Sequence, residues 1–171
     1  MIPAIPNGKH VAYFNSAANV VYIYLQLFRF DLAAAELSKL KSLTNDSVLC
    51  QVTEAAFLIC KGEDYQSAYY IVQELIEANG ANAFLLNLQA VCSVHMDKLS
   101  EAENLLLDVL RKDPTNSEIL SNLASISVYN AKTESFDKYM NAVFSSKPHY
   151  PLSNDIAAKS FLFDQCAARY K

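Results

Sequence analysis

The feature that most limits how this chain can fold is an internal repeat with a period close to 34 residues. Large apolar residues recur at Phe30, Tyr65 and Leu99, which stand 35 and 34 residues apart. Each is followed three residues later by an alanine, and four residues after that by another large apolar side chain. The alanines are Ala33, Ala68 and Ala102, and the later apolar side chains are Leu37, Val72 and Leu106. Pro114 and Pro148, again 34 residues apart, close successive units.

Two helical patterns fit into each repeat, which is typical of tetratricopeptide repeats. The first helices are predicted near 14–27, 48–60, 83–95 and 117–130, and the second near 31–43, 65–78, 99–112 and 134–146. A helical hairpin cannot cover its own apolar faces, so successive hairpins must stack on one another. The sequence therefore predicts an all-α, tetratricopeptide-repeat α-solenoid of about four helical hairpins.

Three segments are expected along the chain. Residues 1–13 are predicted to be an N-terminal extension or the end of a truncated repeat, residues 14–150 the four hairpins, and residues 151–171 a C-terminal capping helix. The closing helix offers polar residues for the outer side that an end unit needs. Because no comparable polar segment precedes the first hairpin, we expect the chain to be the C-terminal part of a longer solenoid.

Composition supports the helical assignment and limits the possible partners. The 171 residues include only 3 glycines and 5 prolines, and there is no proline between Lys9 and Asp113. Few turn-forming residues favour helices over sheets. The net charge of -4 argues against a nucleic-acid partner. No stretch approaches the ~18 apolar residues that a membrane span requires.

The sequence contains no motif that predicts catalysis, a cofactor or a metal site. The four cysteines, 50, 60, 92 and 166, are too far apart for a zinc-binding pattern, and the three histidines are isolated. Gly8-Lys9 lacks the earlier glycine and the following Ser or Thr of a phosphate-binding loop. We therefore predict a protein that is not an enzyme and that needs no cofactor.

A partner-binding surface is predicted on the first helices, which line the concave side of this architecture. None of the 14 Lys and Arg residues falls within the predicted first helices, whose only acids are Glu54 and Glu118. The inward residues are predicted to be Tyr22, Leu25, Phe57, Phe84, Asn87, Val91, Val94 and Tyr129. A surface this apolar is expected to be covered by protein. The alternative for any single member is a place in the core between repeats.

Two local patterns qualify the repeat. In the fourth unit Phe136 stands where the other units have alanine, so its second helix is expected to pack more loosely or at a shifted angle. Thr115 and Glu118, just after Pro114, predict a capping box at the start of a helix.

Several strings resemble the C-terminal half of the epsilon subunit family of coatomer. Residues 29–37 look like the family's RxDLAxxEL segment, residues 68–74 resemble its AYYIxQE stretch, and residues 85–92 resemble its LLNxQAxC stretch. The similarity continues in register through Pro114 to a closing segment near 149–164, and it spans about residues 28–165. The sequence departs from the family at Asp97-Lys98, where a glycine is expected, and over residues 1–15.

The resemblance implies a non-catalytic structural subunit of the COPI vesicle coat. Such a subunit would bind and stabilise the C-terminal region of the coatomer alpha subunit in transport between endoplasmic reticulum and Golgi. It would be cytoplasmic and peripheral on Golgi membranes and coated vesicles, with only indirect membrane contact through the coat.

A different class of function is a tetratricopeptide adaptor or co-chaperone-like scaffold that binds another protein or peptide. Adaptors that hold a chaperone's C-terminal carboxylate use cations on their first helices. The absence of cations from the predicted first helices argues against this alternative.

Overall fold

The computed structural model describes residues 7–44, 46–147 and 150–170, apart from the side chains of residues 7–13, 44 and 153. Within these ranges the chain forms nine α-helices and no strand. Their bounds are α1 Asn7–Gln26, α2 Phe30–Thr44, α3 Val48–Lys61, α4 Tyr65–Asn79, α5 Ala83–His95, α6 Leu99–Lys112, α7 Ser117–Tyr129, α8 Thr133–Ser146 and α9 Pro151–Ala168. The all-α prediction is confirmed.

The eight helices predicted for the hairpins agree with α1–α8 to within one residue at each end, except at the start of α1. This helix begins at Asn7, so residues 7–13 of the predicted N-terminal extension are helical. The physical reason is that the sequence beyond Gly8 offers neither proline nor glycine to end a helix before Gln26. Residues 1–6, Pro148, His149 and Lys171 lie outside the described residues.

The chain divides into two compact units, residues 1–98 and 99–171. In the first unit α1 and α2 form one hairpin and α3 and α4 another, while α3 also packs against α1, α2 and α5. In the second unit α7 pairs with α8, α6 packs on α7, and α9 contacts α8. The third predicted hairpin would join α5 of one unit to α6 of the other, so the division into four hairpins stays a prediction.

Small residues lie at the buried positions that the repeat predicted for them. Ala33, Ala68 and Ala102 on the second helices have no exposed surface, and Ala90 and Ala124 on first helices are also buried. Alanine lets two helices approach closely, and the larger apolar side chains fill the space beside it. Ala56 was predicted to share this role, but it is half-buried and its neighbour Ala55 is buried instead.

The turns after α1, α3, α5 and α7 share one backbone conformation. Phe28, Gly62, Asp97 and Ala131 all have a positive φ, between 54° and 79°. At Phe28, Asp97 and Ala131 the next two amides donate to carbonyls of the last helical turn in the Schellman pattern. The repeat therefore extends to the turns, although glycine, which adopts this conformation without strain, is present at only one of the four.

Side-chain caps start several of the helices. Ser47, Asp64 and Asn82 each accept a hydrogen bond from the amide three residues later. At α7 the cap is Asn116, whose Oδ1 accepts from the Ile119 amide at 3.3 Å. The predicted capping box of Thr115 and Glu118 is therefore wrong. Thr115 lies in the preceding turn instead, and its hydroxyl donates to Asp113.

A cavity of about 130 Å³ lies beside Phe136 in the hairpin of α7 and α8. It is lined by Ser127, Val128, Ala131, Lys132, Thr133 and Phe136. A bulky ring at a position where the other second helices carry alanine holds neighbouring atoms apart. The cavity agrees with the loose packing expected there.

Candidate partner-binding site

The first helices of the first unit lie side by side, with α3 packed against both α1 and α5. This arrangement brings Tyr22, Leu25 and Phe57 into one apolar cluster. Leu25 is only 5% exposed and Phe57 only 8%, so both belong to the core. Their prediction as open, partner-facing residues is wrong, because α1 and α3 pack closely enough to cover both side chains.

Tyr22 lies at the edge of this cluster and is half-buried. Its phenol makes a side-chain hydrogen bond with Thr53 of α3, a residue with no exposed surface. Burial raises the pKa of the Tyr22 hydroxyl, and the hydrogen bond with Thr53 partly opposes that rise. Tyr22 therefore links α1 to α3 and presents only part of its ring to solvent.

The predicted residues of α5 differ in exposure. Phe84, near the start of the helix, is 51% exposed. Asn87, Val91 and Val94 are half-buried, while Leu85 beside them is part of a core cluster with α3 and α4. Phe84 is therefore the most accessible large apolar side chain that the prediction placed on the first unit.

In the second unit the predicted residue is Tyr129, at the end of α7. It is exposed, as is Val128 next to it, and Val128 also lines the cavity beside Phe136. The end of α7 thus presents an apolar side chain and an aromatic side chain next to an apolar cavity. Tyr129 is described with its own unit, and a single row through all the first helices stays a prediction.

The observed helix bounds change the charge pattern slightly. Because α1 begins earlier and α3 ends later than predicted, Lys9 and Lys61 fall at their ends. Lys61 pairs with Glu63 in the following turn, and Glu54 in the middle of α3 pairs with Lys41 of α2 at 2.6 Å. Cations therefore stay at the ends of the first helices, and the Glu54 carboxylate is already paired.

Sequence reasoning missed an apolar surface at the end of α1. Ile23, Leu27 and Phe28 are exposed, and Phe28, at 79%, lies in the strained turn with a φ of 56°. Its ring contacts that of Phe30 edge to face, with the centroids 6.4 Å apart. The signal was available in the sequence, because Leu27-Phe28 occupies a turn where polar residues or glycine are usual. We call Tyr22, Ile23, Leu27, Phe28 and Phe84 the first-unit surface.

The described residues give little support for metal or thiol chemistry. Among them, no group of three or more His, Cys, Asp or Glu side chains could hold a metal ion. Burial raises the pKa of the Cys92 thiol to about 11, which keeps it protonated and inert. In the same part of the chain, no helix is long and apolar enough to cross a bilayer.

Solved structures with a similar fold define the class of this protein. It is similar to MamA, from residue 41 to its end, of Desulfovibrio magneticus RS-1, with a TM-score of 0.63 and 13% identity over 81% of this chain and 77% of that one. It is also similar to Pseudomonas aeruginosa PilF, with a TM-score of 0.65 and 18% identity over 92% and 73% of the two chains. The chain is therefore an all-α helical-repeat protein of the tetratricopeptide-like solenoid class, as predicted.

The family follows from sequence comparison. A sequence model described as "Coatomer epsilon subunit" matches residues 5–171, and the chain belongs to this family. It is 33% identical over 146 residues to coatomer subunit epsilon-1 of Arabidopsis thaliana, covering 85% of this chain and 49% of that protein. It is 28% identical over 154 residues to coatomer subunit epsilon of Dictyostelium discoideum, covering 88% and 51%. The chain spans about half the length of the curated relatives it matches.

Proposed function

We propose that this chain is a non-catalytic structural subunit of the COPI coat and that it binds the C-terminal region of the coatomer alpha subunit. Membership of the epsilon family supports a place in the coat. On this proposal the protein works in the cytoplasm and on Golgi membranes and coated vesicles, and it contacts the membrane only through other coat subunits.

The observation that supports a constitutive protein partner is the exposure of large apolar side chains on helices that carry few charges. Phe28, Leu27 and Phe84 of the first-unit surface are more than half exposed. Exposed apolar surface of this kind is characteristic of protein interfaces, in which aromatic side chains supply much of the binding energy. A free acidic peptide would instead need cations in the middle of these helices.

The direct test is co-expression of the chain with the C-terminal region of a coatomer alpha subunit, followed by size-exclusion chromatography with light scattering. We expect co-elution at one-to-one stoichiometry. Separate elution of the two proteins would contradict the proposal for this chain. A full-length relative of the family, run in parallel, shows whether the partner fragment itself is competent to bind.

A pair of matched variants tests where the partner binds. Phe84→Asp changes a side chain that is 51% exposed on a first helix, and Tyr70→Asp changes one that is 54% exposed on the second helix α4. Neither side chain is in the core, so both variants should fold. We expect Phe84→Asp to weaken the complex by about tenfold or more, and Tyr70→Asp to leave the affinity unchanged. Equal effects of the two substitutions would show that the first-unit surface is not the binding site.

A further inference from the structure

The last helix, α9, leaves most of its surface uncovered. Leu152 and Ile156 near its start are half-buried, whereas every residue from 157 to 170 is exposed. The exposed side chains include Phe161, Leu162 and Phe163. A helix with this much uncovered apolar surface is expected to meet another surface in solution.

One face of α9 carries a stripe with heptad spacing. Its members follow one another at alternating intervals of four and three residues, the spacing that keeps a stripe on one side of a helix. They are Leu152, Ile156, Lys159, Phe163, Cys166 and Tyr170, and we call them the α9 stripe. Lys159 is its one charged member, and a single lysine at such a position sets the register of a helix pair at some cost in stability.

The α9 stripe is symmetric about its midpoint. If a second copy of α9 runs antiparallel along it, Leu152 lies opposite the second copy's Tyr170 and Ile156 lies opposite its Cys166. Lys159 then lies opposite Phe163, where the methylene stem covers the ring and the ammonium group remains near the aromatic face. Every position of the stripe meets a position of the same stripe, as a two-fold interface requires.

Charges beside the stripe select the antiparallel direction. Asp155 and Arg169 lie on the same flank, near opposite ends of α9, and both are exposed. In an antiparallel pair each Asp155 comes close to the Arg169 of the other copy, which forms two identical ion pairs. A parallel pair would bring like charges together at both ends, which is unfavourable.

We propose that the α9 stripe is an interface with a second copy of this chain, in an antiparallel two-fold helix pair. An aromatic side chain buries about 150–250 Å², so Phe163, Tyr170 and the flanking Leu162 expose on the order of 500 Å² in each copy. Two copies would bury about 1,000 Å², the lower size of a specific interface. The expected dimer therefore dissociates in the micromolar range.

Sedimentation velocity over a series of low to high micromolar concentrations tests this proposal with the chain as it is. The mass should rise from 19.0 kDa toward twice that value with increasing concentration. Phe163→Asp should raise the dissociation constant by about tenfold or more. The matched control is Phe161→Asp, a change of an equally apolar and exposed side chain that lies roughly opposite the stripe, and it should leave dimerisation unchanged.

Charge reversal tests the direction of the pair. Asp155→Arg and Arg169→Asp should each weaken the dimer several-fold, and the double variant should restore it because the two ion pairs re-form with reversed charges. Circular dichroism confirms that each variant keeps its helix content. A chain that stays at 19.0 kDa at every concentration, or equal effects of Phe161→Asp and Phe163→Asp, would overturn the proposal.

Discussion

The rings of Tyr65 and His95 are stacked, with their planes 3° apart and their centroids 4.2 Å apart. This contact joins the start of α4 to the end of α5, two helices that pack together in the first unit. The Tyr65 hydroxyl also lies against Gly62, where an added Cβ would be 3.2 Å from it. One aromatic pair thus connects the turn after α3 with the end of the next first helix.

The stack should make a measurable contribution to the stability of the protein. Tyr65→Ala and His95→Ala are each expected to be destabilising, and a double-mutant cycle should give a coupling of about 0.5–1.5 kcal/mol. His95→Phe keeps an aromatic ring in place and should retain most of the coupling. Urea denaturation measures these differences, and a coupling energy near zero would mean that the rings do not interact in solution.

The left-handed turns predict opposite effects of glycine and alanine. Ala131 has a φ of 54° and Gly62 a φ of 79°. A left-handed alanine costs about 1–2 kcal/mol, which exceeds the extra flexibility that glycine gives to the unfolded chain. Ala131→Gly should therefore stabilise the protein by about 0.5–1 kcal/mol, whereas Gly62→Ala should destabilise it by a similar amount or more. Thermal unfolding distinguishes the two, and shifts of the same sign would contradict the common backbone conformation.

Burial separates two phenylalanines that the repeat pattern treated alike. Phe57→Asp should destabilise the protein by about 4 kcal/mol or more, because it removes a core ring and buries an unpaired charge. Phe84→Asp should change the free energy of unfolding by less than about 1 kcal/mol, since Phe84 is largely exposed. Urea titrations of the two variants under identical conditions check the difference. Similar losses would mean that the core of the first unit is placed wrongly.

Enlarging the alanines at the helix contacts should overpack them. Ala68 and Ala102 have no exposed surface, so leucine at either position is expected to cost about 1–3 kcal/mol. Ala78 lies exposed on α4, and Ala78→Leu serves as the control, with little expected change in melting temperature. A neutral result at both buried positions would show that the helices do not meet there.

Alkaline conditions should reveal the buried thiol of Cys92. Burial raises its pKa from 9.0 to about 11, so the folded protein keeps this proton over a range where the unfolded chain loses it. Below pH 9 the effect is absent, and between pH 9 and 11 it lowers stability by up to about 1.4 kcal/mol per pH unit. In Cys92→Ala the free energy of unfolding should fall less steeply over this range. Parallel slopes for the two proteins would contradict the shift.

The helix positions were predictable from the sequence because they depend on local patterns. Alternating apolar and polar residues, together with Gly62 and Gly80 in turns, place α2–α8 to within one residue of their observed ends. The alanine positions were predictable for a similar reason, since a 34-residue period brings the same residue to the same contact in successive units. Only Ala56 departs from this pattern.

The candidate surface was predictable only in part. Its apolar character and its scarcity of cations follow from composition. Which members face solvent depends on how closely neighbouring helices approach, and this closeness is set by contacts between residues far apart in the sequence. Leu25 and Phe57 are covered by such contacts, whereas Phe28 is left exposed at a turn.

The sequence by itself determined the repeat, the helix class and the family, because each is recorded in residue types at fixed spacings along one chain. Tertiary structure decided the rest. It placed Leu25 and Phe57 in the core, opened a cavity beside Phe136 and left α9 uncovered from residue 157 onward. The physical reason is that burial results from packing between helices, and one helix's apolar face does not specify what covers it.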